Sequence, residues 1–85
     1  MNVRTIQLCV INECGLMDEF RNSRYGSYGW FLRSKGIYVH SDSIEISENS
    51  SFKSFEDTLN SDIFKRTSDV VDILLHQLKR KFDLV

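Results

Sequence analysis

The sequence predicts an α+β domain: a small antiparallel sheet of three strands with a central hairpin, covered by one or two C-terminal helices. Three observations carry this. Apolar residues alternate with polar ones in the first half, recur at helical spacing in the second half, and are separated by Gly- and Ser-containing breaks. The chain has 85 residues, enough for one domain over 1–85 with a modest core.

From Val3 to Ile11, residues Ile6, Leu8 and Val10 alternate with Thr5, Gln7 and Cys9, which predicts a half-buried strand ending before Gly15. Leu16 to Asn22 fits a short helical turn. Arg21 to Gly29 is loop-like in composition. Tyr28, Trp30 and Leu32 then alternate with Gly29, Phe31 and Arg33, predicting a strand with Trp30 and Tyr28 facing the core. Ser34-Lys35-Gly36 is the expected hairpin turn, with Gly36 free to adopt the left-handed conformation, and Ile37 to His40 the returning strand. Beyond it the apolar parity changes: Ile37 and Val39 are odd, Ile44 and Ile46 even. One unbroken strand cannot put both pairs on one face, so a bulge or bend is expected at Ser41-Asp42-Ser43.

Ser47 to Ser51 is a polar linker supplying helix caps. Phe52, Phe55, Leu59 and Ile63 follow at helical spacing, with a break expected around Asn60 to Arg66. A last helix, capped by Thr67 or Ser68, carries Val71, Leu74, Leu75, Leu78, Phe82 and Val85 within one face about 100° wide. Asp69, Asp72, His76, Lys79, Arg80 and Asp83 fall opposite. Ile73 lies outside the apolar stripe. With the small core, it suggests a homodimer in which Val71, Ile73, Leu74, Leu75, Leu78 and Phe82 form the packing and dimer helix.

Composition narrows the function. Apolar content of 41% and charged content of 27%, with no Pro, argue against disorder. A net charge of −1 and a pI near 6.1 speak against binding driven by bulk positive charge. The longest apolar run of the first half, Leu8 to Ile11, is far too short to span a membrane, and no secretory pattern is legible. The expectation is a cytoplasmic protein without membrane contact. Cys9 and Cys14 read as reduced thiols rather than a disulfide framework.

No catalytic, metal or cofactor site is expected. His40 and Asp42 share a strand face, but Ser41 and Ser43 point the other way, and a surface pair explains them. Asp72 and His76 are a solvated helical pair. Cys9, Cys14, His40 and His76 have ligand types but not the spacing of a zinc knuckle. Gly26 to Gly29 lacks the Gly-Lys-Ser/Thr ending of a phosphate loop.

Two surfaces remain. Between Arg21 and His40 lie Arg21, Arg24, Arg33 and Lys35 without an acidic residue, interleaved with Tyr25, Tyr28, Trp30, Phe31 and Tyr38. Tyr, Trp and Arg are the residues of protein-binding hot spots, and Tyr/Ser/Gly/Asn/Arg is the composition of adaptable recognition loops. The leading reading is a non-enzymatic protein-binding module, of the inhibitor or adaptor kind familiar among phage and mobile-element accessory proteins. Its binding residues would be Arg21, Arg24, Tyr25, Tyr28, Arg33, Lys35 and Tyr38. The second is a small RNA-binding protein using the same residues, with cations on phosphate and rings on bases. From Asp42 to Asp62, six carboxylates stand against Lys53 alone. A solvated linker and helix face accounts for them more simply than phosphate mimicry.

Overall fold

Alternation at Ile6, Leu8 and Val10 is overridden by helix formation. The computed structural model describes residues 2–65, and in it Val3–Glu13 is a helix, α1, not the expected strand. The reason is legible in the same residues. Leu8 to Ile11 is an unbroken apolar run, which carries no period of its own, and eleven residues is long for a strand. Ile6, Leu8, Cys9, Val10 and Ile11 are all wholly buried, so α1 is encased on nearly every side. Its start is capped by Asn2, whose Oδ1 accepts the Thr5 N–H at 2.8 Å. Its end is a glycine cap. Gly15 adopts φ 68° and donates to Asn12 C=O, while Leu16 N–H reaches back to Ile11 C=O at 2.8 Å.

A second helix, α2 (Met17–Asn22), stands where the short helical turn was expected. The predicted strand over Tyr28 to Arg33 is instead helix α3 (Tyr28–Ser34), started by Ser27, whose Oγ accepts the Trp30 N–H. The corrected period inverts one assignment. Phe31 is buried with Tyr28 and Leu32, whereas Trp30, expected in the core, is 64% exposed. Gly36 is left-handed at φ 75°, as its position in a turn requires, but it terminates α3 by donating to Arg33 C=O rather than turning a hairpin.

The sheet has two antiparallel strands in place of the expected three, β1 (Ile37–Val39) and β2 (Ile44–Ile46). Pairing is Ile37 to Ile46, Tyr38 to Glu45 and Val39 to Ile44. The break at Ser41-Asp42-Ser43 is a chain reversal, closed by His40 N–H on Ser43 C=O at 2.8 Å. Reversal explains the parity change: odd positions of β1 lie opposite even positions of β2, so all four apolar side chains share one face.

A 3₁₀ turn at Lys53–Phe55 leads into α4 (Glu56–Lys65), which runs through Asn60 to Lys65 without the expected break. Leu59 and Ile63 are buried, and α4 packs on both α1 and β2. The fold is thus α+β, with helices around a two-stranded antiparallel sheet. The expected last helix, with Val71, Ile73, Leu74, Leu75, Leu78, Phe82 and the Asp72–His76 pair, lies outside the described residues. Among the described residues no helix is long and apolar enough to cross a membrane.

Candidate binding face

The two faces of α3 divide the aromatic and basic residues of segment 21–40. On the inner face, Phe20 meets the Tyr28 ring edge-on at 5.0 Å and the Phe31 ring at 5.3 Å. Tyr28 is therefore core, with the Arg4 guanidinium over its outer side at 5.4 Å. Tyr25, 46% exposed, packs edge-on against Phe31. Lys35 lies over Phe31 and pairs with Glu19, which removes it as an open cation. Arg21 and Arg24 are exposed at the end of α2 and in the following loop.

The outer face carries a different assembly. Trp30 and Arg33 are one helical turn apart, and Tyr38 projects from β1 beside them. The Arg33 guanidinium lies over two rings, 5.3 Å from the Trp30 centroid and 5.4 Å from the Tyr38 centroid. Each contact contributes about 0.5–1 kcal/mol at an exposed site and favours this arrangement of the three side chains. Of the residues singled out in the sequence, Arg33 and Tyr38 meet here, Tyr25 and Lys35 sit on Phe31, and Tyr28 is core. Trp30, the largest member, was missed because a strand reading turned it inward.

This stack borders a groove of about 470 Å³ between α1, α3 and β1. Gln7 from α1 and Gly29 from α3 line one end, and Val39 and His40 the other. Among the described residues no carboxylate lines it, and Arg33 is the one permanent charge. Gln7 was invisible to a strand reading. His40 pairs with Glu45 at 3.4 Å rather than with Asp42.

The two edges of the hairpin are treated differently. On β2, Ile44 N–H donates to Asn60 Oδ1 at 2.8 Å, and Asn60 Nδ2 returns a bond to Ile44 C=O at 3.0 Å. Ile46 N–H donates to Glu56 Oε2 at 2.6 Å, and Lys53 Nζ donates to Ile46 C=O at 3.0 Å. Three side chains thus complete the β2 edge as a third strand would. The Ile46 N–H, and then Lys53, hold the Glu56 carboxyl below its usual range. Lys53 is raised in turn, first by its bond to Glu48 and then by Glu56. Of the acidic segment, Glu48 and Glu56 thus pair with Lys53 and Glu45 with His40, while Asp42, Asp57 and Asp62 are exposed.

Among the described residues no three His, Cys, Asp or Glu gather as metal ligands. Cys9 and Cys14 are not joined in a disulfide. Burial, with Glu13 beside it, pushes the Cys14 thiol up to about 11, so it stays protonated and poorly nucleophilic at neutral pH. Comparison with protein-family models, with characterised proteins and with solved structures finds no match to this chain.

Proposed function

We propose that this chain is a non-enzymatic protein-binding module of the inhibitor or adaptor kind, gripping its partner through Trp30, Arg33 and Tyr38. The observation that carries the reading is the exposed indole in contact with a guanidinium that also lies over the Tyr38 ring. A large aromatic side chain left in water forfeits burial that most folds use, and a rigid one loses little entropy when a partner covers it. Trp, Arg and Tyr together form the usual centre of a binding hot spot.

RNA binding is the second reading, because an exposed ring on an Arg is also a platform for an unstacked base. It is weakened by the pairing of Lys35 with Glu19, which removes one of the four cations of the segment. Self-association through the Leu- and Phe-rich C-terminal segment remains part of the proposal.

The test is size-exclusion chromatography with light scattering at 260 and 280 nm, on protein purified at low salt without nuclease, followed by partner capture. The protein-binding reading expects a peak free of nucleic acid, and a captured partner that is lost on Trp30→Ala or Arg33→Ala. Nucleic acid that travels with the protein and is shed at high salt puts the RNA reading first. Capture undiminished in both variants removes this face from the account.

A further inference from the structure

We propose that the groove beside Trp30 takes an extended acidic peptide, which adds to β1 as a new strand and pairs with the backbone of Val39. This deepens the protein-binding reading and rests on it.

The hairpin ladder decides which backbone groups point where. Gly36 C=O accepts from Ser47 N–H, and His40 N–H donates to Ser43 C=O. With Tyr38 opposite Glu45, these fix the even positions of β1 as the ones turned toward β2. Ile37 and Val39 therefore direct their N–H and C=O groups away from the hairpin. Ile37 is wholly buried, in the stretch where β1 packs on α3. Val39 is only half-buried, and its neighbours Tyr38 and His40 are exposed. Among the described residues, nothing accepts from Val39 N–H or donates to its C=O.

An open edge is a template for another strand unless something covers it. The equivalent groups of β2 are all covered, by Asn60, Glu56 and Lys53. The uncovered ones open on the groove, where Arg33, Trp30 and Gln7 stand beside them. A peptide laid along Val39 would gain backbone bonds that are indifferent to its sequence. Its side chains would alternate, every second one facing the side of Tyr38 and Arg33. Among the described residues the groove is lined by a fixed cation, a histidine and no carboxylate; Glu45, the partner of His40, lies outside the lining. Asp or Glu beside Arg33 is therefore the complementary choice.

The experiment is an amide NMR titration of the full chain with the end-blocked peptide Glu-Val-Glu-Val-Glu-Val-Glu. A fully N-methylated copy and a uridine oligonucleotide serve as the other probes. Strand addition expects the Val39 amide to move downfield and exchange roughly tenfold slower at saturation. The N-methylated copy, which cannot donate, should bind roughly tenfold more weakly or worse. Equal binding of that copy, or an unmoved Val39 amide in the bound state, overturns the proposal. So does a failure of the peptide to bind while the oligonucleotide shifts the Trp30 indole signal. A captured partner that needs Trp30 but leaves the Val39 amide exposed to exchange would remove the strand and keep the binding face.

Discussion

The two edges of one hairpin receive opposite treatment from the chain that follows and precedes it. β2 is flanked by α4, whose Asn60 and Glu56 lie one turn apart and reach both of its outward residues, with Lys53 completing the set. β1 is flanked by α3, which turns aromatic and cationic side chains toward the groove and offers Val39 no polar partner among the described residues. The difference teaches that a three-residue strand is protected less by its own sequence than by the side chains of the helix alongside. Where that helix carries an amide and a carboxylate at the right spacing, the edge is closed; where it carries Trp30 and Arg33, the edge has no side-chain cover among the described residues.

Breaking the closed edge should have the largest effect. Asn60→Ala strips partners from Ile44 N–H and C=O, on a residue that is almost fully buried. Each orphaned group costs about 1–3 kcal/mol, so a loss of about 2–4 kcal/mol is expected in urea unfolding. A smaller loss would mean that water replaces the amide.

Glu56 gives the same edge a pH dependence. Its carboxyl is held low in the folded chain, so its contribution is complete above the ordinary carboxylate range and disappears as pH falls through the lowered value. The raised Lys53 acts oppositely: its contribution is complete below the ordinary lysine range and lost as pH rises through the raised value. Urea midpoints measured against pH should fall at both ends, and Glu56→Gln should flatten the acid limb. Coincident acid limbs for the two proteins would remove Glu56 from the account.

Hydrogen exchange sharpens the contrast without a mutation. In the free chain the Ile44 and Ile46 amides should exchange at least tenfold more slowly than Val39, since they are bonded and it is not. Equal protection would mean that the Val39 edge is already covered. The smallest effect on stability belongs to Trp30→Ala, expected at about 1 kcal/mol or less because the ring is mostly in water and loses mainly its contact with Arg33. A much larger loss in thermal or urea unfolding would show Trp30 to be structural.

The elements that could be read from sequence were those with punctuation. Gly36 stood out as a left-handed turn residue, and Leu59 and Ile63 marked a helix. The parity change between Val39 and Ile44 marked a break, expected as a bulge or bend, that is a reversal. The two that could not were short apolar runs, in α1 and α3, where alternation and helical spacing fit the same residues. That error propagated to the site. With α3 read as a strand, Trp30 went to the core and Phe31 outward, the reverse of the structure, although Arg33 and Tyr38 were identified as binding residues. The helical spacing of Lys53, Glu56 and Asn60 was present in the sequence. Nothing in one sequence alone signals that this polar row faces a strand edge.

The encasement of α1 has a consequence for synthesis. Its apolar side chains are made before every element that covers them, and Leu59 and Ile63 of α4 arrive about fifty residues later. Until then α1 can rest on α3 and β1, but the part of its surface that α4 covers stays open. The nascent chain therefore carries a partly uncovered apolar helix until α4 is made, and pausing before α4 emerges should favour aggregation over folding.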